Sequence, residues 1–222
     1  MQVEVGTVVG ACAGSSTVVV GESRVMCVVR GPSQINGEYR ADEGRVACSI
    51  TRAPFAFPNQ QRRDPGRGNV NSTVDDDFLT EKLQAGLERV VRLESFPQLQ
   101  YDVALDIVSA DGCEHQACVV AAATALMHAS VEARDTLGAA FGFATKDGRF
   151  VPLTSDAAEA AAAEGAGVIF VAATMHTREV VFTELRGLSG DGVPAAALDA
   201  ALTDISEQRG VVLDALHRDL KK

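Results

Sequence analysis

The chain has 222 residues, 46% of them hydrophobic and 23% charged, with 20 Lys and Arg against 30 Asp and Glu, a net charge of −10. This suits one large domain or two tight lobes, and it excludes a surface that attracts nucleic acid as a whole; any RNA contact must come from a local basic patch. No apolar run reaches the ~18 residues of a membrane helix, and the cysteines (Cys12, Cys27, Cys48, Cys113, Cys118) lack metal-ligand spacing and read as reduced core thiols, consistent with cytosol or nucleus.

Val3 to Val20 has no Lys or Arg before it and contains Glu4, Ser15 and Ser16, so it reads as a pair of strands rather than a signal peptide. Ser16 to Gly21 and Arg24 to Arg30 form a hairpin across Glu22-Ser23. Gly31 to Gly44 reads as a polar connection. Arg45 to Arg52 alternates again, with Val46, Cys48 and Ile50 facing one way, and Ala53-Pro54-Phe55-Ala56 ends it. Pro58 to Thr73 is the most loop-like stretch and holds Arg62, Arg63 and Arg67. It is either a solvated surface loop or an RNA-contacting one, because arginine forks match phosphate oxygens and a flexible loop follows a single strand.

Asp75-Asp76-Asp77 should open a helix, with Leu79, Leu83, Leu87, Val90 and Val91 as its apolar stripe; the acids read as caps of its positive end rather than ligands of a divalent metal, since no further acids converge on them in sequence. Tyr101 to Ile107 alternates as a strand with one buried face. Ala110-Asp111-Gly112 breaks it, and a helix follows from about Gln116, with Val119, Ala122, Ala123, Leu126 and Met127 at helical spacing. A strand feeding directly into a helix leaves free N–H groups at the turn, which is an anion site by geometry. Cys113, Glu114, His115 and Gln116 occupy it. A carboxylate therefore stands where an anion would bind, and Glu114 is expected to cap its own helix.

Arg134 to Ala144 carries a small-residue strand pattern, and Lys146 to Arg149 a hairpin turn. Asp156 to Glu164 is an alanine-rich short helix; its acids Glu159 and Glu164 read as a solvated face rather than a catalytic pair. Gly167 to Ala173 and Arg178 to Leu185 are the last strands. Pro194 starts a final helix with Leu198, Leu202, Ile205, Val212 and Leu216 as its buried stripe, interrupted by Gly210, where a packing contact is expected. The four histidines are dispersed; no metal set and no Ser-His-Asp arrangement is visible among them.

These segments together resemble the RNase PH family of phosphorolytic exoribonucleases and their relatives in the exosome ring. The resemblance rests on Gly14-Ser15, Thr17 to Val20, Arg24 to Val29 and Arg30-Gly31-Pro32, on the Arg-Ala-Pro-Phe-Ala run at Arg52 to Ala56, and on the strand–Asp111-Gly112–helix turn. It extends from about Val5 to the C-terminus, without the N-terminal arm that precedes the first strand in many relatives. It implies an α+β fold of two βαβ-type lobes with mixed sheets and packed helices, a single RNase PH-like domain over residues 1–222. Active members carry Gly-Thr-Arg where this chain has Cys113-Glu114-His115, and a phosphate-holding Arg on the preceding helix where the register gives Ala85. Ala85, Glu114 and His115 are thus degenerate phosphate-site positions, and the acidic pair of active relatives is missing from Asp156 to Gly165.

The Arg-Ala-Pro-Phe-Ala run resembles the non-catalytic eukaryotic ring subunits of the messenger-RNA-transport type. The resemblance implies a non-catalytic exosome core ring subunit without cofactor or catalytic metal. It would be partnered by other RNase PH-like ring subunits, cap subunits and single-stranded RNA, with no membrane association, in nucleus, nucleolus and cytoplasm. In the family, basic loops at the position of Arg62, Arg63 and Arg67 face the central channel. The competing readings are an active phosphate-dependent 3′-5′ exoribonuclease and, more remotely, a small-molecule-binding protein using the Asp111 turn.

Overall fold

A computed structural model describes residues 1–8, 10, 12–35, 42–56, 70–145, 149–153, 166–187 and 195–221, with 70–75 described by backbone alone. The strands are β1 (Gln2–Val5), β2 (Gly14–Val20), β3 (Ser23–Gln34), β4 (Arg45–Arg52), β5 (Leu99–Ser109), β6 (Leu137–Ala144), β7 (Phe150–Pro152), β8 (Gly167–Thr174) and β9 (Val180–Arg186). The helices are α1 (Val70–Val90), α2 (Glu114–His128) and α3 (Ala195–Asp219). One sheet runs β1-β2-β3-β5-β4 and the other β7-β6-β8-β9.

The first sheet is built on alternation. Val25, Cys27 and Val29 of β3 and Val103, Leu105 and Ile107 of β5 are all buried, and the antiparallel register places Cys27 opposite Leu105 and Val29 opposite Val103. β4 joins the other side of β5 in parallel, with α1 in the connection, so this lobe holds a β-α-β unit. The mixed character expected of both sheets belongs to this one; every pair in the second sheet is antiparallel.

β3 does not stop at Arg30. It continues to Gln34 across a register shift between Arg30 and Ser33, which takes Gly31 and Pro32 into the strand. A proline without an N–H is tolerated in a strand at such an irregularity.

α2 is the centre of the molecule. Twelve of its fifteen residues are buried, because it packs against β2, β3 and β5 of one sheet and β6 of the other. Alanines allow this close approach. At its C-terminal end the backbone comes so near β2 that a Cβ on Gly14 would lie 2.4 Å from the Ala125 carbonyl oxygen. A helix apolar all round is a core helix.

α1 buries Leu79, Leu83, Leu87 and Val90, as its stripe predicts. It starts earlier than expected, at Val70, so Asp75 to Asp77 lie beyond its first turn and do not cap it.

α3 is phased differently from its leucine pattern. Ala197, Ala201, Ile205, Gln208, Val212 and Ala215 are buried, while Leu198, Leu202 and Leu216 pack at the flanks. Small residues let α3 approach β6, where a Cβ on Gly138 would meet Ile205 Cγ2 at 2.9 Å. Gln208 Nε2 donates to the Ala139 carbonyl at 2.8 Å from within this face. Gly210 makes no such approach: a Cβ there would find nothing within 4 Å among the described residues.

Candidate functional site

The turn between β5 and α2 is held by a residue from another hairpin. Ser23 Oγ, at the start of β3, accepts the N–H of Asp111 at 2.8 Å and of Cys113 at 3.3 Å. Gly112 adopts φ +91°, a conformation that suits glycine in this turn. Cys113 is the N-cap of α2 and contributes no side-chain cap. Its thiol is pushed up to about 11, first by burial and then by the charges of Glu114 and Asp111. It is therefore a neutral thiol at neutral pH and not a nucleophile.

Glu114 does not cap its own helix. It is buried, and its Oε1 lies 3.4 Å from Arg52 Nη1. Arg52, the last residue of β4, turns its fork on Asp76 of α1: Nε donates at 2.7 Å and Nη2 lies 2.6 Å from Oδ1. The side chains of Arg52, Asp76 and Glu114 are 13%, 15% and 12% exposed. Burial alone would lower the Arg52 pKa, but hydrogen bonding to Asp76 and the charges of Asp76 and Glu114 outweigh it and hold the guanidinium above its ordinary value. Among the described residues, two carboxylates share this guanidinium, so negative charge gathers at the positive end of α2. An incoming anion would meet that charge rather than free N–H groups. Glu114 Oε2 is buried without a protein donor among the described residues.

His115 points elsewhere. Its ring centroid lies 5.8 Å from Phe170 and 6.1 Å from Phe141, within an aromatic cluster on the second sheet. Ala85 is exposed on α1. It shares a helix face with Phe78 and Lys82 and lies about half a turn out of phase with Asp76. The three positions expected to be degenerate are thus divided: Glu114 faces the first lobe, while Ala85 sits on the face of α1 that looks toward the second.

Arg62, Arg63 and Arg67, and the acids Glu159 and Glu164, lie outside the described residues. Nothing in the sequence marks Arg52 or Ser23 as site residues, and Asp76 reads there as a helix cap rather than as a partner of Arg52. Only the alternation that ends β4 at Arg52 hints at the first of them.

His128 also acquires a role. Its Nδ1 accepts the Ser15 N–H at 3.1 Å and its Nε2 lies 3.2 Å from Asp219 Oδ2. Ser15 offers its backbone rather than its hydroxyl and is fully buried, so this trio ties β2 to α3 and is not a nucleophilic triad. Among the described residues, no group of three His, Cys, Asp or Glu side chains is placed to hold a metal ion. No helix is long and apolar enough to cross a membrane among the described residues.

Comparison with solved structures gives the fold. The crystal structure of rice (Oryza sativa) Rrp46 matches with TM-score 0.70 at 15% identity, covering 93% of this chain and 91% of that one. The Archaeoglobus fulgidus exosome with RNA bound to the active site matches with TM-score 0.72 at 17% identity, covering 94% and 86%. The two sheets around α2 are therefore an RNase PH-like α+β fold.

In sequence, exosome complex component MTR3 of Mus musculus is 34% identical over 135 residues, 55% of this chain and 47% of that protein. Exosome complex component Rrp41 of Cenarchaeum symbiosum is 25% identical over 128 residues, 57% and 50% of the two chains. The chain spans about half the length of these curated relatives. Residues 1–132 match the family described as 3′ exoribonuclease family, domain 1. That match covers more than half of the sequence, and the chain belongs to the 3′ exoribonuclease (RNase PH) family.

Proposed function

We propose that the chain is a non-catalytic RNase PH-like subunit of an RNA exosome core ring. It pairs with related ring subunits and with cap subunits, and it lends surface to single-stranded RNA on its way to a separate nuclease. The observation that carries this reading is Glu114: a buried carboxylate, tied to Arg52 and through it to Asp76, stands at the helix terminus where the family's attacking phosphate would sit. Similarity to an exosome component over half the chain supports the assembly. The contiguous core that joins both sheets through α2 supports treating residues 1–222 as one domain. Nucleus, nucleolus and cytoplasm are the compartments this role implies.

The RNA contact is assigned to Arg62, Arg63 and Arg67, since the rest of the chain is acidic. Replacing all three with Ala reduces the salt slope of RNA binding by the assembled complex by roughly 2, at about 0.7 per lost phosphate contact on a single strand. Identical slopes in wild type and variant would leave the subunit a scaffold.

The second reading, an active phosphate-dependent 3′-5′ exoribonuclease, is favoured by the similarity to archaeal Rrp41. Incubation of the purified chain with RNA, with and without phosphate, separates the two. The first reading predicts no nucleoside diphosphate release. Release that Glu159→Gln or Glu164→Gln abolishes would establish the second.

A further inference from the structure

On the other side of α1 from Asp76, a small pocket opens toward β9, the last strand of its sheet. Phe78 and Lys82 of α1, His115 of α2, Phe170 of β8, and Phe182 and Arg186 of β9 line it. Its walls are aromatic edges: Phe170 and Phe182 lie 5.5 Å apart at 65°. Phe78 is 42% exposed, and the Lys82 ammonium sits 5.2 Å from its ring centroid.

Size and charge limit the occupant. The cavity is about 50 Å³, where roughly 150 Å³ is needed to take up benzene and about 300 Å³ or more to hold a small-molecule ligand. A nucleobase does not fit, but the tip of a branched aliphatic side chain does. Among the described residues of the rim, Arg186 is paired with Glu184, while Lys82 has no carboxylate partner. On a chain of net charge −10, a lysine at an aromatic pocket with no carboxylate partner among the described residues complements an acidic neighbour. His115, in the first turn of α2, adds its ring to the lining beside Phe170.

We propose that this pocket is an anchor site for a short acidic segment of another protein chain. One Val, Leu or Ile is seated among Phe78, Phe170, Phe182 and His115, and an adjacent Asp or Glu meets Lys82. The mode is a single buried anchor with a charged flank, which concentrates the energy of a small interface in one side chain. It rests on the lining of this pocket and not on the ring assignment.

The test uses the full chain, isotope-labelled, and the acetylated peptide Gly-Ser-Asp-Leu-Glu-Ser-Gly, with resonances of Phe78, Lys82 and His115 followed by NMR. Saturable shifts of these resonances are expected. Replacing the peptide Leu with Ala should weaken binding about tenfold or more, since the anchor supplies most of the energy. Lys82→Glu, an exposed change whose fold the same spectra verify, should weaken the acidic peptide and strengthen a version carrying Lys in place of Asp and Glu. No saturable shift at these residues, or Lys82→Glu without effect, overturns the proposal. So does a single-stranded oligoadenylate that shifts the same resonances where the peptide does not, which would make the pocket a nucleic-acid contact.

Discussion

Glu114 and His115 are consecutive residues of α2 and stand in unlike surroundings. Side chains about 100° apart on a helix look into different layers of a three-layer core. Glu114 enters the first lobe and closes a polar ladder with Arg52 and Asp76. His115 enters the second and joins Phe141 and Phe170. An anion-binding triplet at this turn would need both positions to converge on one ligand. Here they diverge, one held by charge and the other by ring packing, so each can be broken without the other.

The largest effect should come from undoing both sides at once. Ala85→Arg with Glu114→Thr and His115→Arg removes the internal carboxylate and adds two forks suited to a tetrahedral anion. Sulfate or phosphate binding should appear with Kd of roughly 1 mM, about 4 kcal/mol of new affinity, measured by titration calorimetry. On the proposed non-catalytic reading, RNA turnover should stay absent. Turnover in this variant would show that the acids lie in another register.

The next effect isolates the polar side. Arg52→Ala leaves Asp76 and Glu114 facing one another, largely out of water and without their shared cation. Removing one partner of a buried pair costs about 3 kcal/mol or more. Urea unfolding should show that loss. A change below about 1 kcal/mol would mean that water solvates the ladder well enough to replace the guanidinium.

Arg52 also marks where sequence reading stops. The strands β3 and β5, the stripe of α1 and the core helix α2 were legible because their periodicity is local. The ladder was not, since Arg52 lies 24 residues before Asp76 and 62 before Glu114, and a charged residue ending a strand looks the same whether solvated or paired. The acids Asp75 to Asp77 misled for the same reason: an acid near a helix start suggests a cap, but the helix begins a turn earlier and Asp76 serves tertiary structure instead. In α3 the expected stripe holds at Ile205 and Val212, which are buried, but Leu198, Leu202 and Leu216 flank the buried face, because close packing on β6 favours alanine over bulk. Gly210, where the helix pattern leads one to expect a contact, has nothing within 4 Å of an added Cβ among the described residues.

The aromatic side should be weaker. His115→Ala gives up ring contacts with Phe141 and Phe170 and leaves Arg52, Asp76 and Glu114 untouched. Such pairs are worth about 1 kcal/mol, so a loss near that size is expected in the same urea series. The double variant with Arg52→Ala should be additive within about 0.5 kcal/mol, as for sites with no shared partner. A larger coupling would mean that the turn at Gly112 transmits strain between the lobes, and the two sides would not be separable.

The smallest effect concerns Glu114 itself. Glu114→Gln keeps the shape of the side chain and an oxygen to accept from Arg52 Nη1, and it removes one of the two negative charges that share a single guanidinium. The contact it weakens is already long, at 3.4 Å, while Asp76 retains the shorter bonds of 2.6 and 2.7 Å. The amide nitrogen takes the place of Glu114 Oε2, which has no protein donor among the described residues, so no existing hydrogen bond is lost there. The loss of a charge-assisted bond and the relief of surplus charge should nearly cancel, leaving stability within about 0.5 kcal/mol of wild type. Thermal and urea unfolding of this one variant, beside Arg52→Ala, decide what the ladder is. If Glu114→Gln is as damaging as Arg52→Ala, the carboxylate is a structural element in its own right, and the divided turn cannot be converted to an anion site by exchanging its triplet.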